Sequence, residues 1–361
     1  MRIALLTYST RPRGGVVHTL ALAEALAGRG HDVTVWTLGR GGDDAFFRPV
    51  DPAVRVRVVP FAARDEESVG DRIVRSLAAM AAALGGDADV VHAQDCISAN
   101  AALDARFAGP GGLLRTVHHL DEFTTPALVA CHERALIGPS ALLCVSQAVA
   151  DEVASGWGRQ AEVIPNGVDA ARFAAASGSE AALAWRARLG PYVLALGGIE
   201  PRKGSIDLLE AHAGLAPGTA LVFGGGETLF DYRPYREEFE RRARELGVAP
   251  VVLGTVAEED VAPLVAGASV LGFVSTKEGF GLAAMEALAA GVPVVARDLP
   301  VLREVFGDAV AYGADVEGIR AALAAALDGS APRDGRALAF SHDWGDVAAR
   351  HEGLYRRHLA S

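Results

Sequence analysis

Strand and helix signals alternate from one end of this chain to the other, and the series starts afresh half-way. Short apolar runs at 3–7, 32–37, 54–59, 89–92, 113–117 and 142–145 read as strands, with an amphipathic helix expected at 17–28 and another helix at 71–84. A second series follows, with strands at 192–196, 220–223, 251–253, 270–274 and 292–296, and helices at 205–212 and 236–246. Apolar strands of this length alternating with helices imply parallel sheets covered on both faces. The expected class is therefore α/β, with two Rossmann-like doubly wound domains facing a cleft that holds a ligand. The boundary is expected within 165–190, where Pro165-Asn166-Gly167 signals a turn and 174–178 is made of small residues.

Half of the 361 residues are hydrophobic, enough to give each domain a sizeable core. The formal charge of −11 runs against nucleic-acid binding, which needs a basic face, and against broad adhesion to anionic membranes. Cys96, Cys131 and Cys144 lack a C-x-x-C spacing and are odd in number. Reduced, buried thiols and a cytoplasmic location are expected. The apolar run at 1–7 is too short for a signal peptide, and no run approaches the roughly 20 apolar residues of a transmembrane segment. The abundance of Ala, Gly and Arg suits a GC-rich bacterial genome.

The chemistry concentrates in 275–296, which reads as a strand end, a glycine-rich turn, a helix and another strand. Gly279 and Gly281, on either side of Phe280, let the backbone come close to a ligand. The helix is expected to begin near Leu282, where free N–H groups and the positive helix end suit a phosphate. Glu278 and Glu286 bracket this anion site and would suit sugar hydroxyls. Acceptors on both sides of a phosphate pocket are what a nucleotide sugar needs. An ordinary strand–helix turn with surface carboxylates is the alternative.

The segment resembles the Glu-x7-Glu signature of retaining glycosyltransferases of family 4. The resemblance implies that Glu278 and the loop amides hold the transferred sugar. It assigns the diphosphate to the amides of Gly279, Phe280, Gly281 and Leu282, and the ribose to Glu286. Further motifs match in order. Gly14-Gly15 stands where the family has a glycine pair near the diphosphate and the acceptor; a plain βα turn is the alternative, and Arg11 and Arg13 beside it read as solvated. His118 stands where the family has a histidine that contacts the sugar, with His119 and Asp121 on the acceptor side. His92 and Asp95 read as structural, and Gln94 occupies a place where a second histidine is common. The run Pro165-Asn166-Gly167-Val168-Asp169 is expected to seat the start of the second domain. Lys203 matches a lysine that clamps the diphosphate. The family's arginine after the strand glycine is missing, since Gly198-Ile199 occupies that region; Arg202 is the candidate substitute. Gly225, in the run Phe223-Gly224-Gly225-Gly226-Glu227, stands near the nucleotide, and 253–256 resembles the strand that passes the base.

The resemblance implies the glycosyltransferase B architecture: an acceptor-side domain of 1–167 joined by a returning helix at 341–361, and a donor domain of 168–340. It implies transfer of a hexose-type sugar from a nucleotide-diphosphate donor to an unidentified small-molecule, lipid or glycan acceptor, with His118, Lys203 and Glu278 as the catalytic set. No clear Asp-x-Asp metal motif is present, and neither a metal nor a cofactor is expected. The alternatives are a sugar-nucleotide epimerase or hydrolase of the same fold and a non-catalytic nucleotide-sugar binder. A nicotinamide dehydrogenase would need G-x-G-x-x-G after Thr7, and that spacing is absent.

Overall fold

The computed structural model describes residues 1–62, 64, 67–121, 123–226, 232–332 and 335–360. The chain forms two compact units, one of Met1–Gly167 with Trp344–Ser361 and one of Val168–Asp343.

The first unit begins with β1 (Arg2–Leu6), α1 (Gly14–Gly28), β2 (Asp32–Arg40), β3 (Arg55–Phe61), α2 (Val69–Ala83), β4 (Val90–Ala93) and α3 (Cys96–Ala105). It continues with β5 (Leu113–Val117), α4 (Pro126–Ile137), β6 (Ala141–Cys144), α5 (Gln147–Trp157) and β7 (Ala161–Val163). The seven strands are parallel in the order β3-β2-β1-β4-β5-β6-β7. Side chains of a strand alternate between faces. Thus Ile3 and Leu5 of β1 pack with Val16 and Leu20, while Ala4 and Leu6 pack with Ala99, Ala102 and Ala135. Both faces are buried at the central strands, which is why those read as nearly continuous apolar runs.

The second unit opens with α6 (Ala170–Ala176) and α7 (Glu180–Leu189), followed by β8 (Tyr192–Leu196), α8 (Ser205–Ala213), β9 (Ala220–Gly224), α9 (Arg233–Leu246) and β10 (Val251–Gly254). It closes with α10 (Glu258–Gly267), β11 (Val270–Phe273), α11 (Leu282–Ala290), β12 (Val294–Arg297), α12 (Pro300–Phe306), β13 (Ala311–Gly313), α13 (Val316–Asp328) and α14 (Arg336–Phe340). Its six strands are parallel in the order β10-β9-β8-β11-β12-β13. The last helix, α15 (Trp344–Ala360), lies in the first unit against α1.

Two expectations are corrected. The first helix starts at Gly14 and not at 17, so the glycine pair is its opening turn. The units divide at Gly167/Val168, within the expected 165–190, and the small residues at 174–178 lie at the end of α6 and in the turn to α7. The returning helix starts at Trp344 and not at 341.

The run 165–169 divides its work between the units. In the first, His18 Nδ1 donates to Asn166 Oδ1 at 2.8 Å, and Gly167 lies so close to Trp344 that a Cβ there would be 2.5 Å from the indole. In the second, Asp169 caps α6 by accepting from the Arg172 N–H at 3.2 Å. Val168, whose N–H donates to the His342 carbonyl at 2.8 Å, joins it there, so 168–169 is the part of the run that serves the start of the second unit.

Candidate active site

Ligands of open α/β sheets settle outside the carboxyl ends of the strands, where the strand order reverses. In the second unit that point lies between β8 and β11. The loops leaving these two strands carry the predicted donor residues. After β8 the chain passes Gly197 and Gly198 into a single turn of 3-10 helix at Pro201–Lys203. After β11 it runs through Ser275 to α11. The Thr276 N–H donates to the Arg202 carbonyl at 2.7 Å, so the two loops are tied by backbone. Gly204 has a φ of 64°, and a Cβ there would lie 2.4 Å from the Val274 carbonyl oxygen. Glycine is what lets this turn close on β11.

The loops set two cations on one carboxylate. Lys203 Nζ donates to Glu278 Oε1 at 2.5 Å, and Arg202 Nη1 donates to the same oxygen at 3.3 Å. Arg202 also faces Glu200 Oε1 at 3.5 Å. Burial pushes the Glu278 carboxyl up, but Lys203 and then Arg202 outweigh it and hold it at about 2. Glu278 is therefore ionised at neutral pH. Lys203 Nζ lies 5.3 Å from the Phe273 ring centre. Lys203 borders a pocket lined also by Ala195, Gly197, Gly198, Phe273 and Ser275.

The helix α11 begins at Leu282, as the sequence predicts. Gly281 is its N-cap, with a φ of 105°, and a Cβ there would lie 2.9 Å from the Phe306 ring. No side chain caps this end and no acid stands in its first turn, so nothing within the helix offsets its positive pole. The Phe280 side chain is core, with its ring edge-on to His342 at 5.5 Å; what Phe280 can offer a ligand is its backbone. Gly279 is buried. Glu286, half-buried on the second turn, is no surface carboxylate. Loss of solvent raises its carboxyl to about 8; Arg172 pulls it down, and Glu258 and Asp169 add to the rise. Arg172 is itself fixed on Glu258, Nη1 to Oε1 at 2.5 Å.

Gly225 has a reason internal to the fold. A Cβ there would lie 2.3 Å from the Gly197 carbonyl carbon, so the loops after β8 and β9 touch backbone to backbone. The same run's Glu227 lies outside the described residues.

In the first unit the strand order reverses between β1 and β4. Gly14 and Gly15 open α1 after β1, Gln94 follows β4, and His118 follows β5. A Cβ on Gly14 would meet nothing within 4 Å, whereas one on Gly15 would lie 3.4 Å from His118 Cδ2. His118 Nε2 is bonded to Gln94 Oε1 at 3.1 Å, and the His18 ring stands edge-on to it at 4.8 Å. Loss of solvent, then His119 and Arg115, lower His118 to about 3, which keeps the ring neutral. His119 is taken up by Asp121 at 3.0 Å. His92 is structural, bonded to the Tyr355 hydroxyl at 2.7 Å and to Thr116 Oγ1 at 2.8 Å. Asp95 caps α3.

A family model described as Glycosyltransferase Family 4 matches residues 12–172, and one described as Glycosyl transferases group 1 matches residues 187–333. The chain is 30% identical to a phosphatidyl-myo-inositol mannosyltransferase of Mycolicibacterium smegmatis, over 98% of this chain and 93% of that protein. The chain belongs to glycosyltransferase family 4. In structure this glycosyltransferase resembles a sucrose-phosphate synthase from Thermosynechococcus elongatus, with a TM-score of 0.80, 21% identity and 99% of each chain covered. It also resembles the HepE protein of Anabaena in complex with UDP and glucose, with a TM-score of 0.73, 21% identity, and 97% of this chain and 98% of that chain covered. The two Rossmann-like units are those of the glycosyltransferase B fold.

Sequence reasoning about this glycosyltransferase missed several partners. Glu200, buried beside Arg202, and Arg172 and Glu258 near Glu286 were given no role, Asp169 was read only as part of the seating turn, and Gln94 drew notice only as a departure from the family. Arg202 does reach the site where the family arginine is missing, but from the turn and in company with Glu200. Asp87 and Asp89 do have an Asp-x-Asp spacing, yet they precede β4 at the amino end of the sheet and both pair with Arg2. Among the described residues no helix is long and apolar enough to cross a membrane.

Proposed function

We propose that this glycosyltransferase is retaining and moves a hexose-type sugar from a nucleoside-diphosphate donor to an acceptor hydroxyl. The observation that carries this reading is the pair Lys203 and Arg202 on Glu278, beside the uncapped start of α11. As the anomeric C–O bond breaks, negative charge grows on the diphosphate and positive charge on the sugar. Lys203 and the α11 N–H groups stabilise the first; the ionised Glu278 orients the sugar. Glu286 accepts from the ribose. On the first unit, the neutral His118 serves the sugar by hydrogen bonding and not as an acid. The acceptor attacks from the face the diphosphate leaves, and a phosphate oxygen takes its proton. The reaction runs without a metal ion, because cationic side chains and a helix pole supply the charge. Relatives of similar length transfer sugars to a phosphatidyl-inositol by name, and the UDP and glucose on the HepE protein support a nucleotide-sugar donor.

A thermal-shift panel of nucleotide sugars tests donor binding, since a ligand at about 100 times its Kd adds about 2.7 kcal/mol of stability. The binding donor, offered with candidate acceptors, should then yield a glycoside of unchanged anomeric configuration. Glu278→Ala should lower turnover by about 10²- to 10³-fold with the fold intact. Unchanged transfer in that variant overturns the role of Glu278, and release of free sugar with no glycoside formed would favour a hydrolase.

A further inference from the structure

We propose that Gln94 is a positioning residue that fixes the tautomer and orientation of His118, so that His118 offers Nδ1 as a hydrogen-bond acceptor to a substrate hydroxyl. The proposal rests on the reading of the chain as a sugar-transfer enzyme. Gln94 is 3% exposed, and its backbone N–H is tied to the Leu6 carbonyl at 2.9 Å, so its place at the end of β4 is fixed by β1. Its side-chain oxygen lies 3.1 Å from His118 Nε2. Its amide nitrogen is buried with no hydrogen-bond partner among the described residues.

That last feature is informative. A buried amide donor without an acceptor is a cost that an apolar or smaller side chain would avoid. What Gln94 gains in exchange is the contact to His118. A neutral imidazole has one N–H and one lone pair, and the partner on one nitrogen decides the state of the other. With the Gln94 carbonyl accepting, Nε2 carries the proton and Nδ1 keeps the lone pair. The ring cannot turn freely to reverse this, because Gly15 stands on one side and the His18 ring on another. His118 stays neutral through the physiological range, as its burial requires. In the orientation that Gln94 holds, its carbonyl oxygen faces the ring, and an oxygen can only accept, so Nε2 is the nitrogen that donates.

The test combines spectroscopy with kinetics on the full chain. In histidine-labelled protein, with the His118 signals identified from a His118→Asn sample, ¹⁵N shifts should show a protonated Nε2 and an unprotonated Nδ1. The reverse pattern in the wild-type protein overturns the proposal with no variant needed. Gln94→Leu should mix the two tautomers and lower kcat by roughly tenfold to a hundredfold while the KM for the donor changes little, as misplacement of a contacting group does. Gln94→Glu keeps the acceptor but adds a charge that draws a proton onto the ring. Its activity should therefore be low at acid pH and recover as pH rises, where the wild-type profile is flat. A Gln94→Leu protein with an unaltered tautomer, or a Gln94→Glu profile identical to wild type, overturns the proposal. If the wild-type chain transfers no sugar at all, the functional reading fails on its own, and the tautomer measurement still decides the role of Gln94.

Discussion

At the scale of single residues, the two carboxylates of the donor motif are held in opposite states. Glu278 is kept ionised by Lys203 and Arg202, while Glu286 keeps a proton because burial and two neighbouring acids favour the neutral form. The same spacing in the sequence thus produces two different groups, set by what each loop brings near. Removing the nearest cation should separate binding from stability: Lys203→Ala is expected to lower turnover by about 10²- to 10³-fold, because it takes away a contact to the leaving diphosphate. A turnover within a few-fold of wild type would remove Lys203 from the leaving-group role. For Glu286 the expectation concerns pH. Its folded carboxyl, at about 8, lies above the ordinary value of 4.5, so the folded state holds a proton that the unfolded chain releases. The stability this provides is fully present below 4.5 and is lost as pH rises through about 8, with a slope of up to about 1.4 kcal/mol per pH unit. Denaturant unfolding of Glu286→Gln between pH 5 and pH 9 should lack that decline; an equal decline in both proteins refutes the assignment.

At the scale of elements, the returning helix α15 is anchored through Trp344, packed on Gly167, and Tyr355, fully buried and bonded to His92. Gly167→Ala would drive a methyl to within 2.5 Å of the indole. Overpacking of this kind costs about 1–3 kcal/mol, and the melting temperature of the variant should fall by several degrees. An unchanged melt would mean that Trp344 moves aside without cost. Which elements could be read from sequence follows from how each is buried. The central strands were legible because both sheet faces are covered and nearly every position is buried; the three-residue edge strands β7 and β13 were too short to show. The helix α3 was not, since Ile97 through Ala102 is buried all round and shows no single apolar face. The stretch holding α6 and α7 is rich in alanine and shows no helix pattern in the sequence for want of contrast. The site follows the same logic. Glu278 through Glu286 lie in one segment, so their pattern shows in the sequence. Gln94 arrives from another strand end, and only the folded sheet brings it to His118. Glu200 stands two residues from Arg202, and what only the fold shows is that this turn is set against Glu278.

At the scale of the whole molecule, the two units differ in how they should respond to acid. The first buries His18, His92 and His351 and half-buries His118, with rings stacked edge-on or tilted in a chain from α1 to α15. Loss of solvent is the main cause that lowers all four, His118 to about 3 and His351 to about 4. In the unfolded chain each would titrate near about 6.5. Between that value and the folded one, the unfolded state binds more protons, so stability is full above about 6.5 and falls with decreasing pH, by up to about 1.4 kcal/mol per unit for each ring. The first unit should therefore unfold in mild acid with uptake of several protons. Trp36, Trp157 and Trp344 of the four tryptophans lie in that unit and report it by fluorescence. The sharpest variant is His351→Leu, since among the described residues His351 bonds only within its own helix, Nδ1 to the Val347 carbonyl at 2.8 Å, and the leucine fills similar space. Its loss of stability between pH 7 and pH 5 should be smaller than that of wild type by about 2 kcal/mol, one proton fewer being taken up. An acid transition with the same midpoint and steepness in both proteins would mean that His351 does not set the acid limit, and that the carboxylates of the chain do.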